Sequence, residues 1–261
     1  MKTIRNAAAV VAGFFLPVLC IAPASAQAEE WEWMLVPYLW AEDTSLDVYV
    51  NDDPIFGGDL GFDDLLDKLE FAFQLQFEGR RGKGGFFADF TTMSTSDSRI
   101  TDERPPLPGG TQLDADTDII VFEAAGFYRP SGEALGLDLL LGARVIDLDL
   151  ELGLTLPPPA TETGTVGTSD TFTDGFAGLR YTAPLGESWL LALRGDVGAG
   201  DSDLAWNASA YLGYNFGQRD QFAVVFGYRY LDLEFEETEG DITVETDMVM
   251  SGPSAGFMFR F

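Results

Sequence analysis

The residues of this sequence that could do chemistry are charged, and they stand on alternating positions. Glu78, Asp89, Glu123, Asp138, Asp174 and Asp196 fall on one set of such positions, together with Arg129, Arg144, Arg180, Arg194 and Arg229. In this set the two signs nearly balance, whereas the whole chain has 43 acidic and 15 basic residues and a formal charge of −28. Carboxylates facing guanidiniums can form a salt-bridged ladder, or they can line a charged constriction that tunes a channel. An unpaired charge is costly in low-dielectric surroundings, so the ladder is the expected state. Imidazole chemistry is excluded, because the chain contains no histidine. That removes Ser-His triads, His–Asp pairs and His-ligated metal sites. We therefore expect no enzymatic activity and no cofactor. The acidic balance also excludes nucleic acid as a partner, since such a surface repels phosphate.

Strands must position these charges. After residue 26 no stretch is long and apolar enough for a transmembrane helix. The chain alternates instead. Leu69–Arg80 reads LEFAFQLQFEGR, with Phe71, Phe73, Leu75 and Phe77 on one face and Glu70, Gln74, Gln76 and Glu78 on the other. Ten such segments are expected, at 31–51, 69–81, 84–98, 113–129, 136–153, 170–185, 188–200, 204–217, 221–236 and 246–261. They are long for strands of a globular sandwich. Short turns rich in Gly and Pro, at 80–85, 130–136, 184–188 and 217–221, alternate with longer loops at 52–68, 99–112, 154–169 and 237–245. The short connection at 201–203 is the exception, and Gly61–Lys68 could form a helical turn with Leu65 and Leu66 inward. The fold class is all-β: an antiparallel, transmembrane, up-and-down β-barrel of ten strands, with eight or twelve as the neighbouring even counts. An even count puts both termini at the short-turn end, which faces the periplasm in bacterial barrels.

The N-terminus supplies an address. Met1–Ala26 holds Lys2 and Arg5, an apolar run from Ala7 to Ala22, and Ala24-Ser25-Ala26. This is the layout of a secretory signal peptide cleaved after Ala26. Leu19 before Cys20 argues against a lipoprotein. Residues 27–261 then form a single barrel, exported through the periplasm to the outer membrane, with no cysteine.

Two strands mark the edge of the membrane. In the fifth, Leu137, Leu139, Leu141, Ala143 and Val145 share a face that continues as Asp147, Asp149 and Glu151. In the ninth, Phe222, Val224, Phe226, Tyr228 and Tyr230 are followed in register by Asp232 and Glu234. The opposite faces reverse this, running from Arg144 to Ile146, Leu148 and Leu150, and from Arg229 to Leu231, Leu233 and Phe235. Such a wall meets lipid and then water, around an upper lumen packed with aliphatic side chains. A bulge that flips the face is the alternative. Trp189, Trp206, Tyr181, Tyr228 and Tyr230 are candidates for aromatic girdles. The first strand is apolar on both faces and leaves Tyr38 and Trp40 unassigned.

The last residues, Ser254-Ala255-Gly256-Phe257-Met258-Phe259-Arg260-Phe261, resemble the C-terminal insertion signal of bacterial outer-membrane proteins, which the barrel-assembly machinery recognises. Gly256, Phe257, Phe259 and Phe261 carry the likeness. Pro37-Tyr38-Leu39-Trp40-Ala41, Phe87-Ala88-Asp89-Phe90, Gly142-Ala143-Arg144, Gly178-Leu179-Arg180-Tyr181, Leu193-Arg194-Gly195-Asp196-Val197-Gly198, Gly227-Tyr228-Arg229-Tyr230-Leu231-Asp232 and Gly252-Pro253 resemble the markers of an uncharacterised family of Gram-negative outer-membrane β-barrel proteins. The resemblance implies a barrel in the outer membrane and implies no activity. The chain departs from the pattern at Val145-Ile146, where an aromatic pair is usual.

Two functions are open to such a barrel. One is a structural or surface barrel with a plugged lumen and an acidic rim, at Glu42, Asp43, Asp47, Asp52, Asp53, Asp59, Asp63, Asp64 and Asp67. Its partners would be outer-membrane lipid and lipopolysaccharide. Loosely held Ca²⁺ or Mg²⁺ could bridge to anionic headgroups, although no fixed ligand spacing is present. The other is a narrow passive channel of porin type that favours cations. Either one depends on assembly. Changing Phe259 and Phe261 together to serine should block insertion, because each phenylalanine contributes about 2 kcal/mol of apolar burial. Heat-modifiable migration on gels reports the folded barrel, and folded double variant at normal levels would refute the expectation.

Overall fold

The computed structural model describes residues 30–51, 53–60, 69–100, 109–158, 163–217, 220–239 and 242–261. In chain order the strands are β1 (Glu32–Trp40), β2 (Asp43–Val50), β3 (Asp53–Leu60), β4 (Leu69–Arg81), β5 (Gly84–Ile100), β6 (Gln112–Tyr128), β7 (Gly136–Thr155), β8 (Thr163–Leu185), β9 (Trp189–Gly200), β10 (Leu204–Phe216), β11 (Phe222–Glu239) and β12 (Ile242–Arg260). From β4 to β12 each strand pairs with the next in sequence, and β1 pairs with both β4 and β12. The result is a closed, antiparallel, ten-stranded barrel. The seam is fixed at its inner end by Trp33 and Phe261, whose backbone groups exchange hydrogen bonds of 2.9 and 3.0 Å.

The first expected strand is present in two pieces. β1 and β2 lie along β12 in one register, with Trp40 opposite Ser254 and Asp43 opposite Ser251. Only Ala41 and Glu42 interrupt them, at the point where β4 stops being β1's partner. There the Gln74 side chain replaces the ladder: its Oε1 accepts from the Trp40 N–H and its Nε2 donates to the Trp40 carbonyl. Gly252 makes the interruption possible, since a Cβ on it would lie 1.8 Å from the Ala41 carbonyl oxygen.

The loop expected at 52–68 is corrected in its first half. β3 folds back on β2, taking the place on β2's flank that β4 has left. The reversal turns at Asn51, whose φ of 50° is in the left-handed region that Asn tolerates. Asn51 Oδ1 accepts from the Thr243 N–H at 2.9 Å, which ties the turn to β12. The loops expected at 154–169 and 237–245 are also shorter, because β7, β8, β11 and β12 run on past them. Alternation weakens where both faces meet water, so these strand ends are hard to read in sequence. The expected helical turn at 61–68 and the proline run at 105–108 lie outside the described residues.

Polarity is inverted relative to a soluble protein. Leu139, Leu141 and Phe226 on the outside are 45%, 72% and 50% exposed, while Glu123, Asp138 and Arg144 inside are 0%, 0% and 1% exposed. A closed ladder with an apolar outer belt is the form in which strands cross a bilayer. The chain is an outer-membrane β-barrel. β7 and β11 keep a single register with each neighbour wherever they pair, so no bulge flips their faces. The outer face of β7 therefore passes from lipid to water at Asp147, and that of β11 at Asp232. Girdle contacts form at both ends: Trp189 packs on Tyr214, and Trp206 stacks on Tyr230. Trp33 stacks on Phe77, with Phe86 edge-on. This inner-end cluster is not among the sequence candidates, since it needs β1, β4 and β5 side by side.

These depths are testable. Leu139→Arg and Phe226→Arg should each destabilise by about 2–4 kcal/mol at the bilayer midplane, whereas Asp149→Arg and Glu234→Arg, on the same faces above the lipid, should change little. Folding titrations into lipid vesicles measure the four values, and equal penalties would contradict the projecting wall.

Candidate functional site

The lumen is layered. Its outer part is an apolar cluster that includes Trp40, Val121, Ile146, Leu231, Leu233 and Met250, with Leu148, Phe172 and Phe235 packed against it. Ile146, Leu148, Leu231, Leu233 and Phe235 are five of the six aliphatic and aromatic residues that strand parity places there. The inner part holds a smaller cluster of Phe87, Ala125, Phe127, Leu140 and Phe176.

Between them lies a layer of charge. The Glu123 carboxylate on β6 accepts from Arg144 on β7 at 2.7 Å, from Arg229 on β11 at 2.8 Å and from Arg194 on β9 at 3.0 Å. Asp196 joins through Arg144 at 2.9 Å and Arg194 at 2.7 Å. Asn207 links Asp196 to Arg229, donating to the one at 2.9 Å and accepting from the other at 3.1 Å. Asp89 accepts from the Tyr38 hydroxyl at 2.7 Å and stands 3.7 Å from the Arg229 guanidinium. The aromatic rings add cation–π contacts, with Arg229 over Trp40 at 4.8 Å and Arg194 over Phe87 at 5.0 Å.

A second network lies nearer the short turns. Arg180 reaches Glu78 at 2.5 Å and Asp138 at 2.9 Å, and Arg129 holds Asp138 at 2.6 Å. Ten of the eleven candidate charges thus fall into two ion-pair networks. Asp174 joins neither. Although it sits across the ladder from Arg144, it accepts from the Ser202 N–H at 3.0 Å and hydroxyl at 2.7 Å, holding the 201–203 connection. Asn207 and Tyr38 are missing from the sequence-based set, because a neutral side chain gives no charge signal and only register brings Asn207 opposite Asp196.

Two other expectations are revised. Tyr38 and Trp40 both point inward, so neither meets lipid; Trp40 is 4% exposed. Glu42 is not on the acidic rim. It shares their parity and is 1% exposed inside the wall, with both carboxylate oxygens lacking a hydrogen-bond partner among the described residues. Of the insertion-signal residues, Phe257 and Phe259 lie on the outer face and pack on Phe222, Gly256 stands opposite Tyr38 across the seam, and Phe261 lies at the inner end of that seam.

The outer wall above the lipid carries like charges side by side. Asp118 faces Asp149, Glu236 faces Glu245, and Glu234, Asp247 and Asp47 form a row on three adjacent strands. Directly opposed like charges destabilise a ladder. Partial burial, with Asp247 nearby, raises the Asp232 carboxyl above its usual range, and desolvation with Asp232 beside it raises Glu234. Among the described residues no group of three or more His, Cys, Asp or Glu side chains could hold a metal ion.

No family model and no curated protein matches this chain. Among solved structures, the attachment invasion locus protein Ail of Yersinia pestis, in complex with the heparin analogue sucrose octasulfate, is 12% identical and aligns over 89% of this chain and 99% of its own, with a TM-score of 0.36. The outer membrane protease OmpT of Escherichia coli is 10% identical over 91% of this chain and 99% of its own, with a TM-score of 0.46. Neisserial surface protein A is 10% identical over 89% and 100%, with a TM-score of 0.25. Likenesses of this degree carry no inference about activity.

Two substitutions in the lumen should have opposite signs. Arg144→Ala removes a partner from both Glu123 and Asp196 and should cost about 3–5 kcal/mol. Glu42→Met removes a buried carboxylate that has no hydrogen-bond partner among the described residues and should stabilise by about 1–3 kcal/mol. Urea unfolding in vesicles measures both, and a destabilised Glu42→Met would show that the carboxylate is satisfied in the folded barrel.

Proposed function

We propose that this chain is a non-enzymatic structural or surface barrel of the outer membrane, closed to solutes across its lumen. One observation carries the reading. β6 and β11 stand on opposite sides of the ten-strand ring, yet the Glu123 carboxylate and the Arg229 guanidinium are 2.8 Å apart. The charge layer therefore bridges the full width of the lumen, and the apolar cluster seals the space outside it. Ten strands enclose a lumen that side chains can fill, whereas water-filled porins use about sixteen to eighteen. With no histidine, the bridged charges have no imidazole to act as a proton carrier.

The opposed carboxylates of the outer wall support a surface role. They meet the level where lipopolysaccharide headgroups begin, and Ca²⁺ or Mg²⁺ shared between wall and headgroup would relieve repulsion on both. The raised carboxyls of Asp232 and Glu234 favour the protonated form in the folded barrel. Their repulsion is fully present above that raised range and is relieved as pH falls through it. Millimolar Mg²⁺ should therefore raise the thermal unfolding midpoint more at about pH 8 than at about pH 5.

Planar-bilayer recording tests the closed lumen. Wild type should show small, rare steps, with cations favoured in whatever passes. Arg194→Ala should either destabilise the barrel or raise conductance. Stable wild-type openings comparable to those of general porins would overturn the closed reading in favour of a narrow cation-favouring channel.

A further inference from the structure

The inner half of the lumen is not filled. A cavity of about 490 Å³ lies below the charge layer and reaches the end that carries the termini and short turns, with Arg260 and Phe261 in its lining. Its lining, unlike the chain as a whole, holds more arginines than carboxylates. Arg80, Arg129 and Arg260 line it at the strand ends, and Arg180, Arg194 and Arg229 line it further in. Among the described residues three carboxylates, Glu32, Glu78 and Asp89, line it with them. Glu123, Asp138 and Asp196, which pair with the inner arginines, are not part of the lining, so Arg80 and Arg260 at the mouth carry the excess positive charge. Arg194 keeps a buried Nη2 with no hydrogen-bond partner among the described residues.

The lining also mixes arginine with aliphatic side chains. Arg80, Arg129 and Arg180 come from the arc β4–β8. The opposite arc, from β9 through β12 to β1, contributes Met34, Val36, Leu190, Ala192, Val225 and Met258. Arg194, Arg229 and Arg260 also come from this second arc, and Glu78 and Asp89 from the first, so arginine and aliphatic side chains face one space that side chains of this fold could have filled. Unfilled apolar space gives up packing energy, and an arginine donor without a partner gives up a hydrogen bond. A molecule with an aliphatic body and an acidic head would restore both, the head meeting a guanidinium in charge-assisted hydrogen bonds.

We propose that this cavity is a binding site for an anionic amphiphile, a medium-chain carboxylate in its simplest form, entering from the periplasmic end. The proposal rests on the closed reading of the lumen for its route of entry alone, since a closed charge layer leaves the periplasmic end as the way in.

The test uses the full mature chain folded into zwitterionic lipid nanodiscs, titrated with octanoate, octanol and octylammonium against empty nanodiscs by calorimetry. Octanoate should saturate at one per barrel, about tenfold or more tighter than the other two. An Ala192→Phe, Val225→Phe double variant fills the aliphatic arc and leaves every ion pair in place; it should remain heat-modifiable and lose saturable binding. Equal affinity for the three probes would overturn the site, and so would undiminished octanoate binding by the folded double variant. If that variant does not fold, the comparison of probes on wild type decides alone. Bilayer recording separates the two proposals: saturable octanoate binding by a barrel that also conducts steadily would support the site and overturn the closed lumen.

Discussion

Closure of the ladder is the constraint on which everything else depends. In hydrocarbon every backbone N–H and C=O must find a partner, and a sheet achieves this only without edges. β1 meets that demand by pairing with β4 on one flank and β12 on the other. Once the ring is shut, the outer face must be apolar, and polar side chains remaining at membrane depth must turn inward. The lumen then has to accommodate them. It does so by pairing opposite signs across its width, so the same interactions that satisfy the charges also span the lumen.

The departure of β4 from the first strand shows how local chemistry keeps that closure intact. Above Tyr38 the ladder to β4 ends, and the Gln74 side chain meets both backbone groups of Trp40. β2 continues on β12 without a change of register, and β3 replaces β4 on its other flank. The close approach of Ala41 to Gly252 brings Glu42 inside, beside a layer whose arginines are already engaged. The strand break and the buried Glu42 carboxylate are thus parts of one arrangement.

Charge divides the molecule along its axis. The outer wall sets carboxylate against carboxylate, as in the Glu234–Asp247–Asp47 row. The inner cavity gathers arginines in a chain whose formal charge is −28. An anion is therefore repelled at one end and attracted at the other, with the Glu123 layer between. The two proposed roles, a cation-bridged outer surface and an inner site for acidic amphiphiles, follow from that single asymmetry.

Much of this is legible in the residues themselves. Alternation fixes which side chains share a face, because the pleat repeats every two residues, and it extends from Leu139 to Asp149 without structural help. Parity likewise groups Glu123, Arg144, Arg194 and Arg229 as inward charges and Ile146, Leu231 and Leu233 as an inner apolar set. The absence of histidine bounds the chemistry before any fold is known. Parity does not say which strands face one another across the ring, since that depends on closure and on the stagger between strands. Only the tertiary structure decides that Glu123 meets Arg229 from the far wall, that Asp174 binds Ser202 and not the arginine beside it, and that Glu42 lies within the wall although it is surrounded by rim acids in sequence. It also decides that β3 is a strand, because its partner β2 exists as an edge only after β4 has turned away. Sequence determined the faces, through a local repeat; the ring decided the partners, through contacts between residues far apart in the chain.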